Sequence, residues 1–137
     1  MSEVIELVIV TPQGEAFRGD VESVVLPGSE GDFGVLEGHE RFLCPLRTGE
    51  LEIKSSAGSQ FASIGSGFAD VSSGEAAVLV ESCEIAGDID VTRAEAARDR
   101  AQQGFANASS AEDTADQGEH AAALARAENR LAIAEKR

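Results

Sequence analysis

Near residue 88 the chain changes its period, and that change decides what it can fold into. From residue 3 to about 85, apolar residues alternate with polar ones, and Gly, Pro and Ser break the runs into short pieces. From Asp90 onward Ala dominates, β-branched residues almost vanish and no Pro occurs. A period of two describes strands and a period near 3.6 describes helices. The charge changes at the same place. Residues 1–88 carry 16 acidic and 4 basic side chains, net −12; residues 89–137 carry 9 and 7, net −2. Two units are expected, 1–88 and 89–137.

The first unit reads as sheet. "EVIELVIV" is rich in β-branched residues and stops at the turn signal "TPQG". "VESVVLPG", "FLCPL", "ELEIK", "QFASIG", "GFADV" and "AAVLVESCEI" follow, with turns such as "SSAGS" and "SSGE" between them. In "ELEIK", Leu51 and Ile53 face one way while Glu50, Glu52 and Lys54 face the other, the signature of a sheet with one wet face. Many short strands without intervening helices predict an antiparallel sandwich or barrel.

The second unit reads as two helices. Asp90 or Thr92 can cap the first, and Thr92 with Glu95 has capping-box spacing. Ala94, Ala97, Ala101 and Phe105 make a narrow apolar stripe, and "GFANASSAEDTADQGE" reads as a connection. A second helix, roughly Glu119 to Glu135, places Leu124, Ala127, Leu131 and Ala134 on one seam. The result is an antiparallel hairpin of thin energetics. Burying a Leu is worth ~1.5–3 kcal/mol and an Ala methyl far less, whereas ordering each residue costs ~1–2 kcal/mol. With Gly104 and Gly118 inside it, such a hairpin needs something to dock on.

Composition excludes several classes of function. A net charge of −14 repels nucleic-acid phosphates and anionic lipid, which are bound through Lys and Arg. Two readings of the charge stay open: it serves solubility, or it suits a basic protein partner. No apolar run approaches the roughly 20 residues that cross a bilayer, and the Met-Ser-Glu-Val start lacks a signal peptide's regions. The expectation is a chain that stays where it is made. Cys44 and Cys83 lack CxxC spacing and read as buried free thiols, in keeping with a cytosolic setting.

No catalytic constellation is legible. His39 lies between Glu37 and Glu40, which is poor metal-ligand spacing, and His120 falls in the polar start of the second helix. Neither a metal nor a catalytic residue is assigned. "PGSEGDFGVLEGHERF", residues 27–42, is glycine-rich but no helix or Lys-Ser/Thr follows it, so it cannot cradle phosphate in the manner of a P-loop. It reads as a structural loop, with Gly at positive φ and exposed charges available for contact. Arginine is the sharper signal. Arg93 and Arg100 share one helix face, and Arg126 and Arg130 share another. Two readings stay open: the faces converge on a cationic pocket able to grip a polyphosphate, or the arginines are solvated and pair with Glu95, Asp99 and Glu128.

"VVLPGSEGDFGVLEGH", "ASIGSGFADVSSGEAAVLVES", "DIDVTRAEAARDRA" and "LARAENRLAIAE" together resemble successive segments of the epsilon subunit of bacterial F-type ATP synthase, the counterpart of the mitochondrial delta subunit. The resemblance covers nearly the whole chain in order. It implies a ten-stranded β-sandwich followed by a helical hairpin, in a non-catalytic rotor subunit of the central stalk. The implied partners are the gamma subunit, the polar loops of the c-ring and, through the hairpin, the alpha/beta catalytic head, whose ATP hydrolysis the hairpin inhibits in many bacterial members. The implied location is the cytoplasmic face of the bacterial inner membrane, peripheral and without insertion. Asp32 and His39 stand where the family places c-ring contacts, although Glu37 replaces a proline before Gly38-His39 and Glu40-Arg41 replaces a small residue and proline after it. No cofactor is required. Some members bind ATP through Ile/Leu-Asp-x-x-Arg-Ala; Ile89, Asp90, Arg93 and Ala94 match it, and Glu84, Arg100, Arg126 and Arg130 fall at accompanying positions. The alternative implied function is an ATP sensor whose hairpin folds around the nucleotide.

Overall fold

Alternation in the first unit becomes ten strands in a computed structural model that describes residues 4–36, 41–107 and 114–136. They are β1 (Ile5–Thr11), β2 (Gly14–Val21), β3 (Ser23–Gly28), β4 (Gly31–Leu36), β5 (Phe42–Leu46), β6 (Gly49–Ser55), β7 (Gly58–Ile64), β8 (Gly67–Ser72), β9 (Glu75–Val80) and β10 (Cys83–Ile85). The sheet order is β10-β7-β6-β3-β5-β8-β9-β1-β2, with β4 paired to β3 off this path. At the β3–β5 corner a single pairing, Gly28 with Leu46, carries the sheet across. The sheet folds over there, so its two halves enclose one core. Inner positions such as Leu7, Ile9, Val24, Leu26, Leu51 and Val78 are wholly buried. In β6, Leu51 and Ile53 point inward and Lys54 outward, as the alternation requires.

Several details differ from the sequence-based expectation. The pairing is antiparallel except for β1, which lies parallel to β9. These two strands stand 64 residues or more apart in the chain, so the intervening sandwich itself serves as the crossover. The run 27–42 is not simply a loop: Gly31–Leu36 pairs back on β3 from Gly28↔Gly31 to Ser23↔Leu36. Gly31, at φ +137°, lies at its turn, where an L side chain would be strained. "AAVLVESCEI" divides at Glu81–Ser82 into β9 and β10, which lie far apart in the sheet order. Both cysteines are free, but half-buried rather than buried.

Beyond β10 a 3-10 turn, Ala86–Asp88, leads to helices α1 (Val91–Asn107) and α2 (Thr114–Ala134). The cap of α1 is Asp90, whose Oδ1 accepts the Arg93 N–H at 3.0 Å. Thr92 therefore lies inside the first turn and the Thr92–Glu95 box is not the cap. The reason lies one residue earlier: Ile89 is buried, which fixes where the chain enters the helix. Both helices reach into the expected connection, because Gly104–Asn107 and Thr114–Gly118 are helical. Ala94 and Ala101 of α1 and Ala127 of α2 are buried, giving the small-residue seam that was expected. Phe105 lies where no side chain is described. His120 is half-buried rather than solvated. It packs on Gly104, where a Cβ would fall inside the imidazole.

Candidate functional site

The cap of α1, the β10 strand and the last turns of α2 meet around a cleft of about 390 Å³. Arg93 and Arg100 enter it from α1, Arg130 from α2, Glu84 from β10 and Asp88 and Asp90 from the junction. Ala94 and Ala97 are small enough to leave the space open. The three acids and three arginines are not equivalent. Glu84 pairs with Arg130, and Asp90 is engaged by the helix cap. Among the described residues, Arg93 and Arg100 form no ion pair. Two guanidiniums seven residues apart on one helix face, with no ion-pair partner among the described residues, suit an anionic group, while Glu84, Asp88 and Asp90 offset the charge of the cleft.

Of the sequence-derived nucleotide residues, the cleft gathers Glu84, Asp90, Arg93, Ala94, Arg100 and Arg130. It does not gather Ile89 or Arg126. Ile89 belongs to an apolar cluster with Ala86, Ile133 and Ala134, and Arg126 turns to Glu119 at 3.4 Å. Asp99 is paired with Arg98 at 3.2 Å instead of Arg100. Asp88 lines the cleft without having been singled out, and Ala97, expected on the apolar stripe, lines it too; only the fold brings them there. Asp32 is exposed on β4 and paired with Arg47, while His39 and Glu37 lie outside the described residues. Among the described residues no three His, Cys, Asp or Glu side chains gather as a metal-binding group.

A second feature was missed because it exists only across strands. On the outer face, Pro45 of β5 opposes Phe68 of β8, Phe68 opposes Leu79 of β9, and Leu79 opposes Val10 of β1. Phe68 is 53% exposed, Leu79 50% and Val10 37%. Leu43, 67% exposed, stands two residues from Pro45 on the same face. The row floors a shallow cleft of about 690 Å³. A contiguous apolar row on so acidic a chain marks an interaction surface. Each residue was legible as an outward position of its own strand; the adjacency was not.

The architecture is a ten-stranded sandwich followed by a helical hairpin, with an exposed apolar row on one outer face of the sandwich. Two family models match it, the beta-sandwich domain of the ATP synthase delta/epsilon chain over residues 4–86 and that chain's long alpha-helix domain over residues 88–135. The ATP synthase epsilon chain of Syntrophobacter fumaroxidans is 41% identical over 136 residues, covering 99% of each chain. That of Staphylococcus haemolyticus is 37% identical over 132 residues, covering 96% of each. A chain in the mitochondrial ATP synthase of Euglena gracilis shares the fold at TM-score 0.78 and 24% identity, covering 96% of this chain and 81% of that one. One in the central stalk/c-ring structure from Tetrahymena thermophila shares it at TM-score 0.64 and 14% identity, covering 95% and 96%. The chain belongs to the ATP synthase delta/epsilon family, as a non-catalytic central-stalk subunit of the epsilon type. No described helix is long and apolar enough to cross a membrane.

Proposed function

We propose that the sandwich couples rotation of the c-ring to the gamma subunit, and that the hairpin brakes ATP hydrolysis by the alpha/beta head. The observation that carries this is the apolar row Pro45–Phe68–Leu79–Val10, a docking face for gamma. The Asp32–His39 segment then meets the polar loops of the c-ring, and the subunit works peripherally at the cytoplasmic face of a bacterial inner membrane. Relatives named ATP synthase epsilon chain over the full length support the assignment. The test adds the full chain to a catalytic head stripped of it. It should co-elute with gamma and slow ATP hydrolysis. A chain that elutes alone overturns the docking, and one that docks without slowing hydrolysis overturns the brake.

The arginine cleft favours a second, compatible reading, in which ATP is a regulatory ligand held by Arg93 and Arg100. Millimolar ATP should raise the thermal midpoint of the full chain, and Arg100→Gln should abolish the rise. No shift in the unsubstituted chain at that concentration removes the reading.

A further inference from the structure

Glu50 of β6 lies directly opposite Ser63 of β7, and Ser63 lies directly opposite Glu84 of β10. Directly opposed residues project to the same face of a sheet, so the three form one polar rank. Each is gripped by a different side chain at the C-terminal end of the hairpin. Lys136 donates to Glu50, Asn129 to Ser63 and Arg130 to Glu84. Asn129 uses Nδ2 for two bonds, to Ser63 Oγ and to the Gly49 carbonyl, both 2.9 Å. Ser63 is 6% exposed and is a polar member of an otherwise apolar buried set. Lys136 also lies over the Phe61 ring, 4.9 Å from its centroid.

The apolar part of this junction is small, comprising Ile133 and Ala134 against Ala86 and Ile89, with Phe61 and Val91 beside them. Apolar burial has no direction, so it does not determine where along the sheet a helix comes to rest. Three polar positions on three neighbouring strands do. α2 carries the main contacts with β6, β7 and the 3-10 turn, whereas α1 packs chiefly on α2.

We propose that the Glu50–Ser63–Glu84 rank is the docking register of the hairpin, with Asn129 as the residue that closes it. Breaking these bonds releases α2 from the sandwich as a unit while the sandwich stays folded. Full departure lets water satisfy Ser63 and Gly49. Removal of the Asn129 amide alone leaves the Ser63 hydroxyl covered and without its donor, which is the costlier state. The rank shares Glu84 and Arg130 with the arginine cleft, but Asn129 and Ser63 lie outside it, so the Asn129–Ser63 bond does not depend on an anion there.

Segment-resolved hydrogen exchange on the full chain tests it. Asn129→Ala should speed exchange of α2 amides by ~10-fold or more and leave β6, β7 and the remaining strands unchanged. The double variant with Ser63→Ala should open no faster than Asn129→Ala alone, because the two share one bond. Glu128→Gln, on the exposed side of α2, should change nothing. Unchanged α2 exchange in Asn129→Ala overturns the proposal, as does equal acceleration of helix and strands. If Asn129→Ala does not fold, Ser63→Ala removes the bond from the sandwich side, and an unaltered α2 in that variant is equally fatal.

Discussion

Cys83 and Glu84 are neighbours at the edge of the sandwich. Burial pushes the Cys83 thiol up to about 11 from its ordinary 9.0, and the Glu84 carboxylate adds to the shift. The thiol is therefore protonated at neutral pH and unreactive, since the thiolate is the nucleophile. In a Cys44→Ser background, alkylation of Cys83 should be slow at pH 8 and accelerate towards pH 11; rapid reaction at pH 8 would contradict the burial. The linkage has a definite sign. A raised thiol pKa contributes stability that is present below the unfolded value of 9.0 and is lost as pH rises through about 11. That Cys83 is a free thiol was legible from its spacing. Its half-buried state was not, because the position lies at the end of a three-residue strand, where alternation carries little information.

Two glycines show what a helix pattern conceals at the scale of an element. Gly104 and Gly118 both lower helix propensity, but only Gly104 has a neighbour that needs it. A methyl on Gly118 meets nothing within 4 Å, whereas one on Gly104 would overlap His120. Gly118→Ala should stabilise the protein by about 1 kcal/mol and raise its thermal midpoint. Gly104→Ala should raise it less, because His120 must leave its place on α1. A smaller gain at Gly104 than at Gly118 is expected, and equal gains would show that His120 does not pack on Gly104 as described. The strands were legible where β-branched residues alternate and turn residues bound them, as in β1 and β6. β2 and β4 were not legible. "GEAFRGDV" is glycine-bearing and charged, with Arg18 paired to Glu15 and Glu6, and "GDFGVL" contains two glycines. Their pairing comes from the register of β1 and β3, a property of the partner strand.

At the scale of the molecule, the sandwich has two working surfaces and the chain itself covers one of them. α2 lies on the Glu50–Ser63–Glu84 rank, so the face that alternation read as wet is partly an internal interface. The opposite outer face, with Phe68 and Leu79, is left open. Spacing put the arginines on helix faces and left two readings open, and the resemblance added Ile89 to Arg93, Arg100, Arg126 and Arg130 as a nucleotide site. Helical spacing places residues on a face without saying which neighbour that face meets. Arg126 is turned to Glu119 and Ile89 lies in the junction cluster, and only tertiary contacts separate these from Arg93 and Arg130.

In the proposed function, the open apolar row joins this subunit to gamma. The most direct measurement is the affinity of gamma for the full chain and for its Phe68→Glu and Leu79→Glu variants, with circular dichroism confirming that each variant is folded. Because both side chains are half exposed, the substitutions should leave the fold intact. Each should weaken binding by at least ~10-fold, as expected for a large apolar side chain at the centre of an interface. Gamma binding unchanged in both folded variants would show that the row is not the docking face.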